Sequence, residues 1–445
     1  MFAIAPGPHR EAASVTYYPT FEAREDAFNV SVGRLVPSRL AGPERFWADF
    51  SEISRRRLDA DPTARVAFIT SNPRDCLAFA TPRQVLTAAC LRAGISGSAI
   101  AAAVEETATT FCLQANRDQP LRTLSGGESV KLAMAKAAIA GENSCRLSVA
   151  SPFSWLSAGN AGLLDELVER YASRRLPVSV LALAEEDAMD PDPIIGDAAA
   201  AFPSVSFAIR LETVSLRLAT AVAMATTDPA RVDFPDAAFS LRSPCLLMGD
   251  NGQGKSLLAK LLTGAMAGQG RIVVGGAASG RCRPRMIFQD VVAQTLSRSA
   301  DGMLDGLNSA DRMAAVARYR ELAGICGAYL DGCMGSTANL AAGGMPPTPS
   351  LLEIKLQLAA QRLTGDTSLM ILDEPDWGLS RRAAAAFVLA VVDMAHAMGI
   401  PVLIISHKPW WTPLALSRLT VVKDMAAGDG ADNRDGFTVR LVKEL

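Results

Sequence analysis

The eight residues Gly249-Asp250-Asn251-Gly252-Gln253-Gly254-Lys255-Ser256 constrain this chain more than any other stretch. Their spacing, G-x-x-x-x-G-K-[ST], is that of a loop whose backbone N–H groups close on phosphate oxygens. Glycine lets the backbone turn inward without a side chain in the way. Lys255 supplies a point charge for β- and γ-phosphates, and Ser256 offers a hydroxyl to Mg²⁺. Such a loop needs a strand before it and a helix after it. Residues 244–248 read as a short buried strand. Residues 257–262 read as a helix whose N-terminus faces the phosphates.

The 445 residues leave room for two domains, each with its own core. Hydrophobic residues make up 49% and charged residues 20%, which suits an ordered globular chain. The net charge of −2 gives no general electrostatic attraction to nucleic acid. The run Arg55-Arg56-Arg57 is local and reads as a solvated helix face. Eight cysteines, Cys76, Cys90, Cys112, Cys145, Cys245, Cys282, Cys326 and Cys333, form no C-x-x-C pair, which argues against a zinc site. Scattered as they are, they are expected to be reduced thiols of a cytosolic protein. Met1 to Pro8 shows no basic run followed by a long apolar one, so no signal peptide is expected. No stretch approaches the roughly 20 apolar residues of a membrane helix. Work at a membrane would need another chain.

Along the chain, residues 1–30 carry no clear pattern. Residues 45–57 suggest an amphipathic helix with Phe46, Phe50 and Ile53 on one side. A strand is expected at 65–70, helices at 83–93 and 98–111, and a helix opened by Leu124-Ser125-Gly126-Gly127-Glu128 and running to 140. A strand at 147–150, a helix at 163–173 and a strand at 177–183 follow. Helices alternating with apolar strands indicate an α/β layer around a parallel sheet. Residues 187–203, rich in Asp, Pro and Ala, read as a connector. The same order then recurs, with strands at 285–288, 369–372 and 402–405, a helix at 381–398 and a last strand at 437–442. The chain reads as an internal repeat of about half its length, with domains at 1–202 and 203–445.

Three strands of the second half end in polar side chains. Met370-Ile371-Leu372 leads into Asp373 and Glu374. Asp373 can hold Mg²⁺, and Glu374 can polarise an attacking water. Ile404-Ile405-Ser406 leads into His407, and Ile287-Phe288 into Gln289. The carboxyl ends of strands in an open α/β sheet are where ligands bind. Together with Leu124-Ser125-Gly126-Gly127-Glu128, this order resembles the ATP-binding cassette (ABC) ATPases over nearly the whole chain from about residue 30. The resemblance implies two tandem P-loop NTPase domains of α/β class with helical subdomains. It also implies ATP and Mg²⁺ as ligands. By it, Gly249–Ser256 is the Walker A loop, and Gln289 the Q-loop glutamine, which shares Mg²⁺ with Ser256 and Asp373. Asp373 and Glu374 are the Walker B pair, His407 the switch histidine, and Ser125, Gly126 and Gly127 the signature.

The two halves are not equivalent. The second half's own signature position falls near Pro346-Pro347-Thr348-Pro349-Ser350-Leu351, which has no glycine. The first half keeps its signature, but its other motifs are altered. Residues 37–44 stand where a phosphate loop would be, with Pro43 and Glu44 at the Lys and Ser positions. Ala150 and Ser151 replace the two carboxylates, Glu185 the histidine and Ser71 the glutamine. ABC domains pair head to tail around ATP, so the resemblance implies an intramolecular pseudo-dimer with one complete composite site. Ser125 with Glu128 also forms a helix-capping pattern. Phe234 is a candidate to stack on a base. Trp410 and Trp411 read as packing, and His9 and His396 as surface histidines.

These features imply an ATPase. One reading has it energise a membrane transporter from the cytoplasmic face of the inner membrane, with an integral membrane subunit as partner. In that reading residues 70–86 resemble the docking region of energy-coupling-factor ATPases. Another is a soluble ABC ATPase acting on nucleic acid, the ribosome or a protein complex. The acidic balance and the missing zinc modules stand against nucleic acid. A third, a regulator that binds ATP without hydrolysing it, is opposed by Glu374 and His407.

Overall fold

Short apolar runs bounded by turns build a parallel sheet in each part of the chain, and helices return the chain from one strand to the next. The computed structural model describes residues 13–18, 24, 27, 66–121, 124–141, 144, 146–150, 155–156, 160, 162–183, 190, 192–199, 202–203, 205–218, 230–250, 252–276, 283–291, 294, 307–330, 350–425 and 437–444. They fall into two compact units. The described residues up to Leu183 belong to the first, and 190–217 with 231–444 to the second.

In the first unit β1 (Ala13–Tyr18), β2 (Val66–Ile69), β3 (Arg146–Ala150) and β4 (Val178–Leu183) form one sheet in the order β1-β4-β3-β2, every pairing parallel. Around it run α1 (Pro82–Arg92), α2 (Ala99–Thr110), α3 (Gly126–Ala140) and α4 (Gly162–Ala172). Helix α3 is nearly all core: Leu132, Met134 and Ala135 are fully buried. Tyr171 of α4 donates its hydroxyl to Ala137 O at 2.8 Å and joins the two helices. Small residues along α3 allow that close approach.

The second unit starts with a short helix, α5 (Pro193–Ala199), inside the stretch expected to be a plain connector. Arg382 Nη1 binds Asp192 at 2.9 Å and ties this segment to the second unit. An antiparallel region follows, which the sequence reading did not resolve. It comprises β5 (Val205–Leu218) and β7 (Ala237–Ser243), with β9 (Gln269–Gly276) also antiparallel to β5, and beside them lies β6 (Ala230–Phe234). The parallel part comprises β8 (Cys245–Met248), β10 (Arg283–Ile287), β11 (Thr367–Asp373) and β12 (Val402–Ile405), in the order β10-β11-β12-β8. Beyond β8 the sheet continues through β13 (Ser417–Met425) and β14 (Phe437–Glu444). The helices are α6 (Lys255–Leu262), α7 (Ser309–Tyr329), α8 (Leu351–Arg362) and α9 (Arg381–Ala397). Helix α9 is buried along most of its length, which matches its Ala- and Val-rich sequence.

The parallel sheets share one order, so strand register identifies counterparts. Val149 pairs with Ile69 and Val180, as Leu372 pairs with Ile287 and Ile404. The next residue, Ala150, pairs with Leu181, as Asp373 pairs with Ile405. Leu181 in turn pairs with Thr16, as Ile405 pairs with Leu247. Counting from these pairs corrects one expectation. The stretch expected to stand for the phosphate loop in the first unit, residues 37–44, lies outside the described residues. Arg24, helical and buried, lies as many residues after Thr16 as Lys255 does after Leu247. The counterpart of His407 is Leu183, the last residue of β4, and not Glu185, which is also outside the described residues.

Burial corrects the readings of His396 and Phe234 and agrees with that of Trp410 and Trp411. His396 is buried, with Nε2 2.7 Å from Ser243 Oγ, which in turn accepts from Val402 N at 2.7 Å. Phe234 is buried in β6 and offers no face to a base. Trp410 and Trp411 are buried in a T-shaped pair, centroids 5.6 Å apart. Cys76, Cys90, Cys112, Cys245 and Cys326 are free thiols. No described helix is long and apolar enough to cross a membrane.

Helix α8 opens with a capping box, Glu353 N to Ser350 Oγ at 3.3 Å and Ser350 N to Glu353 Oε2 at 2.6 Å. Ser350→Ala leaves a helix-end N–H unpaired and is expected to lower stability by about 1 kcal/mol in chemical denaturation. An unchanged midpoint would remove the cap from the account.

Candidate nucleotide site

Strand β8 delivers Gly249 to the sheet's carboxyl edge. Gly249 has φ +148°, and a Cβ there would come within 2.9 Å of Val421 O. Gly254, at φ +103°, precedes α6, and a Cβ would lie 3.2 Å from Val439 Cγ2. Glycine is therefore required twice, by conformation and by space. Gln253 Oε1 accepts from Lys423 N at 2.6 Å and pins the loop to β13. Asp250 is exposed, Gly252 has φ +83°, and Asn251 lies outside the described residues. Lys255 is buried at the start of α6, with Nζ donating to Gly249 O at 2.6 Å and Asp250 O at 3.2 Å. The ammonium thus lies folded back on the loop that a phosphate would enter.

Two buried carboxylates face this loop. Ser256 Oγ donates to Asp373 Oδ1 at 3.3 Å. Burial, with Glu374 beside it, pushes Asp373 up to about 7. Glu374 has φ +45°, a left-handed conformation that costs a residue with a Cβ. Its N–H donates to Ile405 O at 2.8 Å. Its Oε1 lies 2.9 Å from His407 Nδ1, and its Oε2 accepts from Ser406 Oγ at 3.0 Å. Lys255 Nζ is 3.9 Å from Oε1. Burial works to raise the Glu374 carboxyl, but His407, Lys255 and Ser406 together hold it below the usual carboxylate range. Two adjacent carboxylates are thereby pushed apart, one toward neutrality and one kept ionised. A cation beside Ser256 would favour the ionised form of Asp373.

Gln289 lies two residues beyond β10 and is half-buried. Sequence reasoning missed what braces it. Gln294 Nε2 donates to Phe288 O and Asp290 O, each at 3.0 Å, on either side of Gln289. It missed Ser406 as well, whose only sequence signal is its place between β12 and His407.

In the first unit Ser125, Gly126 and Gly127 open α3. Glu128 N donates to Ser125 Oγ at 3.2 Å, and Ser125 N to Glu128 Oε2 at 2.7 Å. Arg74 Nη2 donates to Leu124 O at 2.7 Å and steadies the turn. Helix α8 of the second unit has the same cap, with Leu351 and Leu352 where α3 has Gly126 and Gly127. Its cap residue Ser350, φ −65° and ψ 166°, matches Ser125, φ −66° and ψ 167°. The capping box is thus common to both helices, and the glycines are particular to α3. In place of Asp373 the first unit has Ala150, packed with Leu181, Ala27 and Phe68.

The residues present in the second unit fit a magnesium nucleotide: a glycine cradle, a buried ammonium, and a hydroxyl facing a carboxylate. No protein-family model matches the chain. Among curated relatives, it is 27% identical over 166 residues to the zinc import ATP-binding protein ZnuC of Roseobacter denitrificans, covering 36% of this chain and 57% of that one. It is 28% identical over 194 residues to the ribose import ATP-binding protein RbsA of Geobacillus kaustophilus, covering 40% of this chain and 37% of that one. The chain thus spans less than two thirds of either relative. A solved structure, a model of ribosome-bound archaeal Pelota and ABCE1, matches 97% of this chain and 75% of its own, with a TM-score of 0.53 and 13% identity. That likeness is one of fold.

Asp373 titrates higher folded than unfolded, so its contribution to stability is full below pH ~4 and is lost as pH rises through about 7. Asp373→Asn is therefore expected to raise the stability of the nucleotide-free chain at pH 8, by on the order of 2 kcal/mol, and much less at pH 5. Equal gains in thermal melts at both pH values would contradict the buried, ionised carboxylate.

Proposed function

We propose that this chain, whose fold and motif order are those of the ABC ATPases, binds and hydrolyses ATP at one composite site and energises a membrane transporter. The observation that carries the ATPase reading is the convergence of Lys255, Ser256, Asp373, Glu374 and His407 at one sheet edge. Gly249 to Gly254 present backbone N–H groups to phosphates, and Lys255 adds the charge. Ser256, Asp373 and Gln289 would hold Mg²⁺, which when bound neutralises phosphate charge. Glu374, kept ionised, accepts a proton from the attacking water, and His407 orients that carboxylate. Ser125, Gly126 and Gly127 complete the site from the first domain, residues 1–202, against the second, 203–445. This part rests on the distribution of motifs, since the glycines stand on α3 and are absent from α8. The pseudo-dimer then closes on ATP and opens after hydrolysis.

Two things support a transport role at the cytoplasmic face of the inner membrane, with an integral membrane subunit as partner. Both curated relatives are import ATP-binding proteins. A surface pocket in the first unit is lined by Asp75, Cys76, Leu77, Ala78, Phe79 and Val85, within the stretch expected to dock a helical partner, together with Arg92 and Lys136. Phe79 there is 55% exposed and held at φ +78°, so an aromatic ring is presented outward at a conformational cost.

Glu374→Gln is expected to retain ATP and to lower turnover by about 10²-fold or more; normal hydrolysis would remove Glu374 as the base. Ser125→Arg is expected to abolish activity, and unchanged hydrolysis would sink the composite site. Affinity capture of the intact chain from detergent-solubilised membranes should bring down an integral membrane protein. Capture of ribosomes in its place would favour the soluble reading.

A further inference from the structure

Helix α8 has the cap of a signature helix without its glycines, yet it carries a lysine in the core. Lys355 is 1% exposed. Its Nζ donates to Pro375 O at 2.6 Å. Nζ also lies 5.9 Å from the centroid of the Phe387 ring on α9. Burial pushes Lys355 down to about 7 against the pull of Asp376 and Glu374. Burying an ammonium is expensive, and a methionine would fill the same space without that penalty. The contact it makes is with the residue directly after Glu374.

The turn after β11 needs holding. Glu374 is left-handed, and Asp376 is a further buried carboxylate. Trp377 N donates to Glu374 O at 3.1 Å and closes the turn. On one side Ile405 O, Ser406 and His407 grip Glu374. On the other, Lys355 grips the Pro375 carbonyl. A non-glycine residue persists in the left-handed region only where its surroundings over-determine it.

We propose that Lys355 is a positioning residue: from α8 it fixes the turn that aims Glu374, so this helix serves the carboxylate site of its own unit. The inference rests on the reading of Glu374 as the base. It differs from a packing role in what it predicts. A misplaced base slows the chemical step without touching the phosphate loop.

The test uses Lys355→Met and Lys355→Arg in the full chain, with Glu374→Gln alongside. For Lys355→Met, kcat is expected to fall about ten-fold or more, while KM for Mg-ATP stays within about two-fold. Amide exchange at residues 374–379 should quicken. Lys355→Arg, which keeps the charge but moves the donor, should show the same split to a smaller degree. Unchanged kcat in Lys355→Met overturns the proposal, as does a loss of kcat matched by an equal loss of ATP affinity. Should Lys355→Met fail to fold, Lys355→Arg decides: wild-type kcat there overturns it, and a selective fall in kcat supports it. If Glu374→Gln hydrolyses ATP normally, the reading of the base fails, and this is distinguishable from a failure of Lys355 alone.

Discussion

Glu374 adopts a left-handed backbone at the end of a buried strand, and the arrangement around it depends on that being tolerated. The conformation is strained for a residue with a side chain. What offsets the strain is a set of bonds from a different strand: Ile405 O takes its N–H, and Ser406 and His407 take its carboxylate. Those partners are available because β11 and β12 are adjacent and parallel, with Asp373 opposite Ile405. Adjacent parallel strands end at the same edge, so one carboxylate and the next strand's histidine meet there. The phosphate loop arrives at that edge from β8, on the far side of β12.

The first unit carries the same strand order with different residues at that edge. Strand order and pairing are preserved from β1 to β4. Ala150 stands where Asp373 would, and it packs against Leu181, Ala27 and Phe68. A carboxylate among these apolar groups would be desolvated. The strand order needs only apolar strands and their register.

The paired helices α3 and α8 separate structure from function in the signature. Both begin with a serine that caps the helix and a glutamate that closes the box, with nearly identical cap angles. The cap therefore satisfies helix-end N–H groups in either unit. The glycines on α3 are surplus to that need, and bare backbone at a helix N-terminus suits an anion. Helix α8 fills those positions with leucines and sends a lysine toward Pro375.

The amino-acid sequence by itself determined the phosphate loop, the polar strand ends at Gln289, Glu374 and His407, the α/β alternation and the asymmetry of the halves. These are local properties: a turn chemistry, an apolar run, a capped helix. Only the tertiary structure decided which distant residues are counterparts. Leu183 stands in the place of His407, because hydrogen bonds between strands far apart in the sequence set the register. Burial was likewise beyond the sequence at His396, Phe234 and Lys355, since a residue's depth depends on which elements pack over it. For Lys355 the deciding partner is a backbone carbonyl, which has no signature in any side-chain pattern.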